Sequence, residues 1–232
     1  MSRGRARTND LRVSIRDRTF LLRRPADLET MWRQMGESDL DEDERIPYWV
    51  EVWPAGILLS RWIGENAERI RGEPCLDLGC GLGLSSCMAA LQSARVVAMD
   101  YEGSALRYAR RNGRDNGIGN VSWVQMDWRA PGFKPGAFSW IWGADIVYES
   151  RFFQPLAELL EYCLAPQGRV MLAVPERKVS KPFWALLQQR GWRVRFLTEE
   201  AVSGGSCHHM RVCLWELDRI RDRSGAKLTA TD

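Results

Sequence analysis

Apolar positions along the chain alternate between short continuous runs and longer stretches at helical spacing, and the order of the two predicts the fold. Leu11-Arg-Val-Ser-Ile-Arg16 and Thr19-Phe-Leu-Leu-Arg23 alternate in part around Asp17-Arg18, which predicts an amino-terminal hairpin. Pro25 to Met35 has helical spacing, with Pro25 and Asp27 as start signals, and Glu37 to Glu44 reads as a solvated acidic loop. Ala55 to Ile70 is amphipathic, its Ile57, Leu58, Arg61, Trp62 and Ala67 spaced so that one face lies on a sheet. Apolar runs at Cys75–Leu78, Ala94–Asp100, Val121–Asp127, Phe138–Trp142 and Arg169–Val174 then predict five buried strands. Helical stretches Leu84–Leu91, Glu102–Asn116, Phe152–Cys163 and Lys181–Arg190 follow most of them. Trp192–Leu197 and Met210–Leu217 close the pattern as a hairpin across Gly204-Gly205. The expected fold is α/β, a mostly parallel seven-stranded sheet with one antiparallel strand and helices on both faces. Residues 1–44 are expected to form the hairpin, helix and acidic loop, 45–218 the main domain, and 219–232 a polar tail.

The strand ends carry the chemistry. Cys75-Leu-Asp-Leu-Gly-Cys-Gly-Leu-Gly83 sets Asp77 and three alternating glycines, Gly79, Gly81 and Gly83, where the first core strand leaves the sheet. Glycines there let the backbone turn tightly against a ligand, and a nucleoside cofactor is the natural occupant. The dinucleotide spacing G-x-G-x-x-G fails, because counting from Gly79 and Gly81 the third position falls on Leu84. About twenty residues on, the second strand ends in Asp100, followed by Tyr101. That is the position from which a carboxylate accepts hydrogen bonds from ribose hydroxyls, unless it only caps the next helix. The third strand again ends in a carboxylate, Asp127, followed by Trp128. This pair either serves a base ring or is a strand-end acid beside a surface tryptophan.

Composition removes several classes. In 232 residues the 33 Lys and Arg against 30 Asp and Glu leave a formal charge of +3, dispersed along the chain, so no nucleic-acid partner is expected. Only four of the cations are lysine: Lys134, Lys178, Lys181 and Lys227. Six cysteines without disulfide or C-x-x-C spacing point to a reducing, cytoplasmic setting. Cys207-His208-His209 lacks a partner cluster, so no metal is expected. Neither a secretion signal nor a run of membrane-spanning length is apparent, and no membrane partner is expected.

Taken together, D-x-G-x-G-x-G at Asp77–Gly83 resembles motif I of the class I S-adenosylmethionine methyltransferases, which have a Rossmann-like seven-strand fold. Ile46-Pro-Tyr-Trp-Val-Glu-Val-Trp-Pro-Ala-Gly-Ile57 is similar to the segment preceding motif I in the seven-strand protein-lysine methyltransferases. Asp145-Ile-Val-Tyr148 matches their D-x-x-Y motif, and Val174-Pro-Glu-Arg177 their strand-five exit. The resemblance runs from about Pro47 to Leu217 and leaves the first thirty residues uncovered. It implies S-adenosyl-L-methionine as cofactor, with Asp77 at the methionine amino group, Asp100 and Tyr101 at the ribose, Asp127 and Trp128 at the adenine, and Trp53 closing the pocket. It implies Asp145 and Tyr148 beside the acceptor amine, a lysine of a protein substrate. Trp49 and Trp53 either wall that amine by cation–π contact or pack in the core, and Glu51 either meets the cofactor or faces solvent. The alternatives are a small-molecule amine or nicotinamide-type N-methyltransferase and a non-catalytic cofactor-binding module.

Overall fold

A computed structural model describes residues 9–34, 46–204 and 209–220. The expected hairpin is present as β1 (Leu11–Ile15) and β2 (Arg18–Leu22), followed by α1 (Leu28–Gln34). After a short 3-10 turn at Tyr48–Val50 come α2 (Pro54–Glu65) and the single turn α3 (Ala67–Ile70). One continuous helix was expected over these two. Asn66 interrupts it, at φ −109°, with its side-chain amide donating back to the Trp62 carbonyl. The remaining elements are β3 (Pro74–Leu78), α4 (Leu84–Leu91), β4 (Arg95–Asp100), α5 (Gly103–Asp115), β5 (Val121–Gln125), β6 (Phe138–Ala144), α6 (Phe153–Cys163), β7 (Leu164–Pro175), α7 (Lys181–Gln189), β8 (Trp192–Ser203) and β9 (His209–Arg219).

Seven strands form one sheet in the order β5-β4-β3-β6-β7-β9-β8. The pairs from β5 to β7 are parallel, and β9 is antiparallel to both its neighbours, which is the single reversed strand expected. Three strands run longer than their apolar runs. β7 begins at Leu164, β8 continues through Glu199 and Glu200 to Ser203, and β9 ends at Arg219, inside the stretch expected as tail. The ladder between β8 and β9 explains two of these, since antiparallel pairing satisfies the backbone of polar residues that carry no hydrophobic signal. The acidic loop, Gly205, Cys207, His208 and the tail beyond 220 lie outside the described residues.

Two apolar layers sandwich the sheet. On one face α2 and α4 cover Cys75, Ala98, Trp142 and Met171; on the other α6 and α7 cover Leu76, Leu78, Ile141 and Leu172. The inward residues of the amino-terminal hairpin, Val13, Ile15, Phe20 and Leu22, are buried in the first layer. The edge of β2 is finished by two amides from α5. Asn116 Oδ1 accepts from the Leu21 N–H at 2.9 Å and its Nδ2 donates to the Leu21 carbonyl at 2.8 Å. Asn112 does the same for Arg23, at 2.8 and 3.2 Å, and also donates to the Leu82 carbonyl at 3.1 Å.

The order of strands reverses between β3 and β6: the chain first builds outward through β4 and β5, then returns to the other side of β3. In open α/β sheets the crevice outside the strand carboxyl ends at such a point is where ligands bind.

Candidate active site

A cavity of about 250 Å³ lies at that crevice, lined from the exits of β3, β4, β5 and β6 and by the 46–53 segment. Of the residues singled out from sequence, Trp49, Glu51, Trp53, Asp77, Gly79, Gly81, Asp100, Tyr101, Asp127, Trp128, Asp145 and Tyr148 all line it; Gly83 does not. Gly83 serves the backbone instead. It is the residue before α4, at φ +86°, and a Cβ there would stand 2.9 Å from Trp123 and 3.1 Å from Ala109.

Asp77, 1% exposed, accepts hydrogen bonds from the hydroxyls of Ser85 and Ser86 in the first turn of α4. Burial raises its pKa to about 6; the two serines oppose the rise, as does the nearby indole of Trp142, which lacks hydrogen-bond geometry. Asp100, also buried, accepts from the Gly81 N–H at 2.8 Å on one oxygen and from the Glu102 N–H at 2.9 Å on the other. Burial raises it to about 6 as well, against the lowering by these N–H donors. It therefore holds the turn that leads into α5 rather than capping the helix itself, and each oxygen keeps a lone pair for a ligand hydroxyl.

These bonds bear on the kind of ligand. The N–H groups of Cys80, Gly81 and Gly83 are already spent, on Met99 O, Asp100 Oδ2 and Cys80 O. A loop that cradles phosphates leaves such donors free. Two buried carboxylates that repel one another favour a cationic ligand carrying a diol, and S-adenosylmethionine has that chemistry.

Asp127 is held by Arg129: Oδ1 accepts from its backbone N–H and Oδ2 from its guanidinium, each at 2.8 Å or less, and this holds its pKa low. One lone pair remains on Oδ1 for a base amine. Trp128 stacks obliquely on Phe152, 5.3 Å between centroids. Tyr101 is 43% exposed at the cavity's margin.

On the opposite side the wall is aromatic. Tyr48 meets Trp53 edge-on at 6.1 Å and Tyr148 at 5.8 Å, and Tyr148 meets Phe152 at 6.4 Å. Burial pushes the Tyr148 phenol up to about 12, and its hydroxyl has no hydrogen-bond partner among the described residues. Trp49 leans on Tyr108 at 5.8 Å, with its carbonyl over Gly81. Glu51 does not face solvent. It is 5% exposed, accepts the Leu28 N–H at 3.0 Å and is ion-paired with Arg24, so it fastens α1 to the cavity wall.

Asp145 is the unexpected case. It takes φ +54° without being glycine, its N–H is bonded to the Ala173 carbonyl at 2.8 Å, and both carboxylate oxygens accept from Arg177, at 2.8 and 3.1 Å. Burial raises its pKa, opposed by the Arg177 guanidinium. Sequence reasoning missed this pairing, together with Tyr48, Phe152 and the two serines. Only the serines carried a local signal, as hydroxyls opening the helix that follows an acidic strand end.

Residues 75–168 match a family described as a methyltransferase domain. Among curated relatives, a Xenopus laevis protein named electron transfer flavoprotein beta subunit lysine methyltransferase is 31% identical over 63% of this chain and 58% of its own length. Residues 75–168 thus carry a methyltransferase domain. A mouse protein named Protein N-lysine methyltransferase METTL21A is similar to this chain at 28% identity, over 61% of the chain and 62% of its own length. Both alignments span less than two thirds of the relative. Among solved structures, the Bacillus subtilis YcgJ protein superposes with a TM-score of 0.61 at 12% identity, over 71% of this chain and 99% of its own. Pyrococcus horikoshii TYW2, described as in complex with MeSAdo, superposes at 0.57 with 15% identity over 90% of this chain and 71% of its own. Both neighbours share the fold.

Proposed function

We propose that this methyltransferase domain transfers a methyl group from S-adenosyl-L-methionine to a lysine side chain of a protein. The observation that carries the reading is the pairing, across one cavity, of the buried carboxylates Asp77 and Asp100 with a wall built from Tyr48, Trp53, Tyr148 and Asp145. The names of the relatives, lysine methyltransferases in both cases, support the acceptor class.

In this reading Asp77 takes the cofactor's ammonium, Asp100 its ribose hydroxyls, and Asp127 with Trp128 its base. When bound, the cofactor supplies a methyl group on a positively charged sulfur. Everything else falls to the chain. The acceptor amine must be neutral and in line at about 3 Å, so positioning contributes most of the rate. A free lysine has a pKa near 10.4, and an apolar aromatic wall disfavours its charged form. Tyr48, Trp53 and Tyr148 exclude water and offer ring faces to the cationic product. The Tyr148 phenol stays protonated and presents a free oxygen. Asp145 accepts a hydrogen bond from the amine and balances the charge that develops on it. The described cysteines are all free and buried, which suits a reducing compartment, and we propose the cytoplasm.

Incubating the protein with tritiated S-adenosylmethionine and host lysate, then locating the label by mass spectrometry, tests the assignment. Label on a lysine of a protein is expected. Label confined to small molecules, or binding of NAD in preference to S-adenosylmethionine, overturns it.

A further inference from the structure

Asp145 meets the cavity, whereas Arg177, which binds both its oxygens, is not among the cavity's lining residues. The guanidinium comes from the segment that leaves β7. Its own backbone is fixed there, because the Arg177 carbonyl accepts from the Ser180 hydroxyl at 2.8 Å and Glu176 N–H donates to the Arg211 carbonyl at 3.0 Å. Asp145 is held with equal firmness, by the left-handed backbone and the bond to Ala173. The pair thus joins the exits of two neighbouring parallel strands with two parallel N–H to oxygen bonds, a planar geometry that fixes the plane of the carboxylate.

We propose that Arg177 is a positioning residue for the transfer step, aiming the Asp145 carboxylate into the cavity and keeping it ionised there. The inference rests on the assignment of Asp145 to the acceptor. Three facts make Arg177 the natural agent. Asp145 has only 8% of its side chain exposed, so water does little to solvate its charge. The charged or titratable groups that face it, among the described residues, are Arg177 and its own loop neighbour Tyr148, a neutral phenol. Burial and Arg177 pull its ionisation in opposite directions, so removing the guanidinium leaves burial unopposed. Arg177 does not itself line the cavity, and each carboxylate oxygen that it binds keeps a lone pair, so an amine is not required to displace it. A carboxylate already sharing its charge with a guanidinium accepts a hydrogen bond from a neutral amine without trapping the ammonium as a tight ion pair.

The test separates charge from geometry. Protein labelled with 13C at the aspartate side-chain carboxyls is titrated by NMR as wild type, Arg177→Gln and Arg177→Lys; the Asp145 resonance is assigned by its loss in Asp145→Asn. The midpoint of Asp145 is expected to move up in Arg177→Gln and to return toward wild type in Arg177→Lys. Label transfer into host-lysate protein at saturating tritiated cofactor should fall about tenfold or more in Arg177→Gln, with its acidic limb moved to higher pH. Arg177→Lys should restore that limb but not the full rate, since one ammonium cannot make the two parallel bonds. S-adenosylhomocysteine affinity by calorimetry should stay within about twofold in both variants. An unmoved Asp145 midpoint in Arg177→Gln, or a rate loss accompanied by an equal loss of affinity, overturns the proposal. If Asp145→Asn transfers label at the wild-type rate, the assignment of Asp145 to the acceptor fails instead, and the NMR midpoints still report whether Arg177 controls the carboxylate.

Discussion

The two halves of the cavity are built on opposite principles. On the glycine-loop side every acid is satisfied by donors from nearby chain: Asp77 by Ser85 and Ser86, Asp100 by Gly81 and Glu102. On the aromatic side the wall comes from segments a hundred residues apart, Tyr48 and Trp53 against Tyr148 and Phe152, and Asp145 is matched by Arg177, 32 positions along the chain. The first half carries preset hydrogen bonds, and the second is walled by rings with few. Under the proposed function, tightness of cofactor binding falls to one side and rate to the other.

The strongest attempt to break that division is Asp145→Asn. Asparagine tolerates the left-handed backbone that alanine would strain, so the change isolates the charge. Transfer should fall by about 10²-fold or more with cofactor affinity almost unchanged, checked by label incorporation beside calorimetry. A comparable loss of affinity would erase the distinction between the halves.

The second attempt concerns stability. Asp77 titrates at about 6 in the fold, against a value near 3.9 in an unfolded chain, so between those values the folded state holds the extra proton. Stability from this group is present below about pH 4 and lost as pH rises through 6. Asp77→Asn should therefore leave the ligand-free protein more stable at pH 7, by up to about 3 kcal/mol, with the gain vanishing toward pH 4. Urea unfolding at the two pH values measures it. The same variant should bind S-adenosylmethionine more weakly, which would show that the glycine-loop side gives up stability for its ligand.

Asp100→Ala should weaken cofactor binding by roughly 1 to 3 kcal/mol by calorimetry. Unchanged affinity in a folded variant would leave Asp100 only its role at the start of α5. The smallest effect is expected for Asp127→Asn. With three acceptor sites already given to Arg129, the loss should be under about 1 kcal/mol in cofactor affinity and nil in kcat at saturation.

The same contrast explains what could be read from the sequence. Asp77, Asp100 and Asp127 were legible because each stands at or near the end of an apolar run, with the alternating glycines directly after Asp77, so the signal is local; β5 itself ends at Gln125, two residues short of the expected Asp127. The mostly parallel sheet and the single reversed strand followed from the alternation of periods; the order of the strands did not. Asp145 was legible as a residue but its partner was not, because nothing in the sequence registers the exit of β6 against that of β7. Gly83 was grouped with Gly79 and Gly81 by spacing alone, yet it faces Trp123 and not the cavity. Glu51 sits in a polar-looking position, and its ion pair with Arg24 depends on how the amino-terminal segment folds back.

Asn112 ties three parts of the molecule in one buried amide: the end of β2 through Arg23, the glycine loop through Leu82, and α5 itself. A shortened chain beginning at residue 46, which keeps every residue that lines the cavity, would leave that amide without two of its three partners, at about 1 to 3 kcal/mol for each buried group left unsatisfied. It would also strip Val13, Ile15, Phe20 and Leu22 from the layer above α2 and α4. The segment with no counterpart in the motif pattern is thus a brace on the loop that lines the cavity, and shortening the protein from its front should loosen its grip on small molecules before it touches any residue of the cavity.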